Sequence, residues 1–220
     1  MSQEEGLSRR ERRALARRRQ IVDGAAQIFA QKGYHAATTR EIAQSADVSE
    51  GSIYHYFDSK KDLLLAIMDR LRVSQPPGPS NALEDAGQLP AVDPRDVLKM
   101  VIRDLQAFAM EQQPMLRVVM SEVLIDEAFA DRYHEELLAH SIEMMERYLR
   151  VLTDQGRITG VDAALFARFF VAANVGLTEL FLLGDPVLGA KWCSDKLVEV
   201  LANFFILGLA SSEAEPESEE

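Results

Sequence analysis

Thr39, Arg40, Glu50, Ser52, Tyr54, His55, Tyr56 and Lys60 bring hydroxyls, cations, an imidazole and a carboxylate into one short stretch. The set lacks a nucleophile–base motif but is rich in groups that bond to phosphate oxygens and base edges. The run Thr38-Thr39-Arg40-Glu41-Ile42-Ala43 reads as a short helix capped by Thr38 or Thr39. Asp47 falls where the chain should turn, and Asp tolerates a left-handed backbone. Ser49 should cap a second helix holding Ser52, Ile53, Tyr54, His55 and Tyr56. Ile53 and Phe57 are four apart, so they share a face and can anchor this helix to the first. Glu50, Gly51, Ser52, Tyr54 and His55 are left facing outward. The pattern predicts a helix-turn-helix, whose second helix presents its first turn to base edges. Gly51 would let the backbone approach a DNA groove, and Ser52 can bond to any base edge. Tyr54, His55, Tyr56 and Lys60 can donate to phosphate oxygens.

The flanks supply the elements that must hold this pair. Upstream, residues 21–34 form an amphipathic helix with Ile21, Ala25, Ile28 and Phe29 in its buried stripe and Gly33 at its end. Downstream, Ser59-Lys60-Lys61-Asp62-Leu63-Leu64 starts another capped helix, expected to run to about Val73. With these flanks, residues 21–68 resemble the N-terminal domain of TetR/AcrR-family transcriptional regulators. The likeness is carried by A-x-x-x-F-x-x-K-G-Y, T-T-R-E-I-A, A-D-V-S-E-G-S-I-Y-H-Y-F and S-K-K-D-L-L, in order and at family spacing. It implies an all-helical homodimer that binds a palindromic operator in double-stranded DNA and represses until a small ligand in the C-terminal domain releases it. By position, the resemblance puts Thr39 and Arg40 on the DNA-facing surface of the first helix. It puts Glu50, Gly51 and Ser52 at base edges, and Tyr54, His55, Tyr56 and Lys60 on the backbone. Asp47 replaces the more usual Gly. Glu50 has two readings: it accepts from a cytosine amino group, or it caps the helix start.

Charge divides along the chain. Net charge is -11, yet residues 1–61 carry 11 Lys plus Arg against 8 Asp plus Glu, and the remainder 13 against 27. A mildly basic head on an acidic body suits a protein that touches DNA with one end. Arg9, Arg10, Arg12, Arg13, Arg17, Arg18 and Arg19 form a cluster expected to lie along DNA, as an arm or helix extension able to enter the minor groove. Cys193 alone excludes an internal disulfide framework, fits a reducing cytoplasm, and is expected as a small buried hydrophobe. The apolar stretch from Ala163 to Leu183 contains Arg168, Asn174 and Glu179, which argues for a buried helix in a soluble, cytoplasmic protein rather than a membrane span. His35, His55, His134 and His140 make no metal-ligand spacing, and no phosphate loop or nucleophile motif appears. No metal, cofactor or enzymatic activity is expected.

The reading yields an all-α chain in four parts: a basic arm (1–19), a three-helix helix-turn-helix DNA-binding domain (20–66), a helical ligand-binding and dimerisation domain (67–210) and a disordered acidic tail (211–220). Residues 1–8 are also expected to be disordered, and residues 74–92 to form a polar, flexible linker. Helices should then run from Pro94 to about Gln112, from Pro114 through Val123, from Glu127 to Gln155, from Asp162 to Leu183 and from Lys191 to Leu209. The last two are apolar over more than one face, which predicts a homodimer through a two-fold four-helix interface. Methionines and aromatics in the middle helices suggest an apolar inducer, with Phe108, Met120, Met144, Tyr148 and Asn174 as pocket candidates. Asn174 could equally hydrogen-bond across the dimer interface. The helix after Ser59 would be the lever between ligand and head. The same fold would serve an activator or a ligand-independent regulator, and a helical interaction module without DNA is the remaining rival.

Overall fold

Hydroxyl and carboxylate caps set most helix boundaries. In the computed structural model, which describes residues 8–76, 78–79 and 93–210, every regular element is helical. Ser8 caps α1 (Arg9–Lys32) through a capping box with Glu11, so the arginine cluster is a helical extension of the first helix. Gly33 closes α1 at φ 81°, a conformation open to glycine. Thr38 caps α2 (Thr39–Ser45) with a second box to Glu41, and Ser49 caps α3 (Glu50–Tyr56). Between them Asp47 takes φ 49°, the left-handed turn expected of it. Ser59 accepts from the Asp62 amide at the start of α4 (Lys60–Ser74).

Two compact units emerge. The first comprises residues 1–73 together with 112–130. Its core includes Ile21, Ala25 and Phe29 of α1, Ile42 of α2, Ile53 of α3 and Leu63, Ile67 and Leu71 of α4, all essentially sealed from solvent. Gly24 marks where α1 meets the end of α2: a Cβ there would lie 2.8 Å from the Ala46 Cβ and 2.9 Å from its nitrogen. Ion pairs join Lys32 to Glu41 and Arg70 to Asp23. A further helix, α6 (Gln113–Val123), packs against α1 and buries Leu116, Val118 and Val119. Linear order groups this helix with the body. Its packing places it with the head instead, and the buried Glu122 faces His35 at 3.7 Å.

The second unit, residues 74–111 and 131–220, is built from α5 (Pro94–Glu111), α8 (Ala139–Asp154), α9 (Ala163–Leu182), α10 (Pro186–Lys191) and α11 (Asp195–Ala210). Its core joins Leu98 and Ile102 of α5, Met145, Tyr148 and Leu149 of α8, Phe170 of α9 and Phe205 of α11. The expected single helix from Glu127 to Gln155 is divided. It comprises α7 (Glu127–Tyr133), a π-helical turn at His134–Leu138, and α8. The wide turn changes the helical phase between the buried Tyr133 and Leu137 and the buried Met144, Met145 and Tyr148. The Leu137 carbonyl accepts from Gln75 Nε2 at 3.1 Å. The last expected helix starts later than Lys191, because Asp185 caps the separate α10 and Trp192 leaves the helix to stack on Phe181. Cys193 corrects the sequence reading: it is exposed, and its thiol lies 2.9 Å from Met110 Sδ. The start at 1–7, most of the expected linker (77 and 80–92) and the acidic tail at 211–220 lie outside the described residues.

Candidate nucleic-acid interface

Within the first unit, α2 and α3 bring their polar side chains together on one surface. Thr39 Oγ1 donates to Glu50 Oε1 at 2.6 Å, and Tyr54 Oη lies 3.2 Å from the same Thr39 oxygen. The Thr39 proton is committed to the carboxylate, so the Tyr54 hydroxyl must be the donor to Thr39. The result is a relay, Tyr54 to Thr39 to Glu50, linking both helices. Arg40, Glu50, Gly51, Tyr54 and His55 are exposed, and Thr39, Ser52, Tyr56 and Lys60 are half-buried. Ser52 Oγ lies 2.8 Å from Ser49 Oγ, while the Ser52 amide donates to Ser49 at 3.2 Å. The His55 and Tyr56 rings meet edge-on at 5.0 Å.

Lys60 has a different local role from the rest. Its ammonium donates to the His35 and Ala37 carbonyls, both at 3.1 Å, and sits 4.6 Å from the centre of the Tyr34 ring. Two of its three donors therefore buttress the loop between α1 and α2, leaving one for an outside acceptor. The loop is reinforced at Glu41, which accepts from Lys32 and from Thr38. The Lys32 bond first, then the Thr38 bonds, pull the Glu41 carboxyl down to about 2. Tyr34 is raised, chiefly by burial and then by the charges of Glu122, Asp126 and Asp62.

The arginine extension of α1 borders this surface. A cavity of about 590 Å³ is lined by Arg10, Arg13, Arg17 and Gln20 on one side and His55 and Tyr56 on the other. A second, about 450 Å³, is lined by Arg17, Gln44, Asp47, Ser49 and Ser52. Arg17 donates to Gln20 and, at 3.5 Å, to the Asp47 carbonyl; Arg18 lies 5.0 Å from the Phe57 ring centre. Gln20 Nε2 donates to the Ala46 carbonyl at 2.7 Å, tying α1 to the turn. Gln44 and the grip of Gln20 escaped the sequence reading. Gln44, an exposed amide two residues from the buried Ile42, carried the available signal, since Gln is a common reader of base edges.

The expected ligand residues do not all share a unit. Phe108, Met144, Tyr148 and Asn174 belong to the second, whereas Met120 lies on α6 in the first. Met144 and Tyr148 are buried on one face of α8, and burial pushes the Tyr148 hydroxyl up to about 12. That hydroxyl has no hydrogen-bond partner among the described residues, nor has the Nε2 of the buried Gln106. Phe108 is half-buried, and Asn174 spends its amide on the Phe170 carbonyl of its own helix, at 2.8 Å.

This arrangement, a capped tri-helical head with a polar second helix, has close counterparts. Residues 21–67 match the sequence model of bacterial regulatory proteins of the tetR family. The chain is 39% identical over 92 residues to the HTH-type transcriptional repressor Rv1474c of Mycobacterium tuberculosis, covering 42% of each. It is 31% identical over 137 residues to the repressor AcnR of Corynebacterium diphtheriae, covering 61% of this chain and 64% of that one. The similarity thus spans less than two thirds of either relative. The fold is shared with Salmonella enterica GusR at a TM-score of 0.68 and 22% identity, over 89% of this chain and 96% of that one. Residues 21–67 are a domain of the tetR family of bacterial regulatory proteins.

Proposed function

We propose that this protein is a transcriptional repressor that binds a palindromic operator as a homodimer and is released by an apolar small molecule. The observation that carries the DNA-binding part is the surface formed by α2, α3 and the start of α1. Exposed hydrogen-bonding groups of α3 stand beside a cavity lined by Arg10, Arg13 and Arg17. Base edges would meet Glu50, Gly51 and Ser52, with Thr39 and Arg40 on the DNA-facing surface of α2. Phosphates would meet His55, Tyr56, the spare donor of Lys60 and the arginines, whereas the one Tyr54 proton is held by Thr39 in the free protein.

Dimerisation is supported by the surface of α9 and α11. Leu165, Phe169 and Leu180 recur along one stripe of α9, with the small Ala172 and Gly176 between them. Val200, Phe204 and Leu207 do the same on α11, and the Phe169 and Phe204 rings lie 5.9 Å apart. All six large side chains are exposed, Leu165 and Leu207 at 66% each. A contiguous apolar face of this kind calls for a partner. A second copy supplies one through a self-complementary contact and provides the second reading head. The helix α9 is also long and apolar enough to cross a membrane by length and composition alone. Coverage by a second α9–α11 pair accounts for its apolar surface in a cytoplasmic protein.

The inducer is read from the apolar body around Phe108, Met144 and Tyr148, with Asn174 as a polar contributor. It acts by favouring a conformer whose heads are misplaced for the operator, with α4 as the lever. Selection from randomised duplexes, followed by titration of the recovered site at several salt concentrations, tests the proposal. An inverted repeat bound with steep salt dependence supports it, and recovery of no common sequence refutes it.

A further inference from the structure

Glu50 is an unexpected group on a surface meant for a polyanion. A carboxylate there repels phosphate and suits the site where it accepts a hydrogen bond from a base. Capping is already provided by Ser49, whose hydroxyl accepts from the Ser52 amide at 3.2 Å. Glu50 instead takes a hydrogen bond from across the motif. Thr39 donates to Oε1 at 2.6 Å, and the Tyr54 hydroxyl, 3.2 Å from Thr39, completes the relay behind it. One carboxylate oxygen is thereby held from α2, while the residue as a whole stays exposed. Its neighbour Gly51 has open space where a Cβ would stand, so close approach of a groove is not blocked there.

We infer that Glu50 is a specificity-determining residue, positioned by Thr39, that accepts a hydrogen bond from the N4 amino group of a cytosine in each operator half-site. The inference rests on the DNA-binding reading above. The chemistry selects cytosine because a carboxylate only accepts. In the major groove guanine presents two acceptors, and thymine an acceptor and a methyl group. Adenine sets its N7 acceptor beside its amino group. Cytosine alone offers an amino donor with no acceptor on the same base edge. Thr39 has the positioning role, since its bond restricts the carboxylate to one orientation.

The test is selection from randomised duplexes with the full chain, in wild-type form and as Glu50→Gln, Thr39→Val and Thr39→Ser. Wild type should recover sites with cytosine dominant at one symmetric position, and replacing that base should weaken binding at least about fivefold. Glu50→Gln should recover adenine at that position and leave the rest of the site unchanged, because a carboxamide both donates and accepts. Thr39→Val should loosen the cytosine preference, and Thr39→Ser should restore it. A change of recovered base cannot arise from misfolding. A wild-type site without a fixed cytosine overturns the inference whatever the variants do, as does a Glu50→Gln site identical to the wild-type one. Failure of the underlying reading looks different, since wild type would then recover no common site.

Discussion

The two units of this chain use their surfaces in opposite ways. The head displays hydroxyls, arginines and one tethered carboxylate around α2 and α3, and its exposed aliphatic side chains, Leu15, Val73, Leu124 and Ile125, lie on other segments. The body buries its own core, yet leaves a row of leucines and phenylalanines of α9 and α11 in solvent. A surface of directed hydrogen-bonding groups suits a polar partner read by geometry. A surface of exposed apolar groups suits association with like surface, where the hydrophobic effect is non-directional and scales with area. Under the proposed function, recognition falls to one unit and assembly to the other.

That division can be broken most forcefully at the assembly face. Leu165→Glu with Phe204→Glu places a charge on each helix of the apolar face. It should convert a dimer into monomers by sedimentation and lower operator affinity by more than about thirtyfold, with the head still folded. A dimer that survives both changes would assign the interface elsewhere. At the other pole, removing residues 1–13 takes away Arg9, Arg10, Arg12 and Arg13. Affinity for every DNA sequence should then fall alike, with the salt slope reduced by about one for each phosphate no longer neutralised. An unchanged slope would detach the arm from DNA.

Smaller effects sharpen the account of how the head is held. Gly24→Ala drives a methyl against the Ala46 Cβ and nitrogen, 2.8 and 2.9 Å away. It should cost about 1–3 kcal/mol in thermal or denaturant unfolding of the head, leaving dimerisation intact. Least in size is the acid dependence at Glu41. Its folded value, about 2, lies below the ordinary 4.5, chiefly through the bond from Lys32. The contribution is thus fully present above pH 4.5 and is lost as pH falls through about 2. Glu41→Gln should flatten that part of the stability profile; an unchanged profile would show that the bond is not formed in solution.

The head was largely legible because its signals are local. Thr38, Ser49 and Gly33 cap or end helices through bonds within a few residues, and Asp47 takes its left-handed conformation on the tolerance of one side chain. The readings that needed correction depended on distant partners. The placement of α6 depends on its packing against α1, far away in sequence. The π turn at His134–Leu138 has no helix breaker to announce it, and its Leu137 carbonyl accepts from Gln75, 62 residues away. The Thr39–Glu50–Tyr54 relay was equally hidden. Each member was a candidate by residue type, but only the crossing of α2 and α3 sets the Thr39 hydroxyl between the other two. Cys193 carries no local cue that would have separated an exposed thiol from a buried one.

The central claim is that one chain supplies half of a two-headed reader. Native mass spectrometry of the full chain, alone and with its selected duplex, tests it most directly. The account predicts a dimer in the absence of DNA and an even number of chains on each duplex carrying an inverted repeat. A monomer that binds its duplex one chain at a time would contradict it.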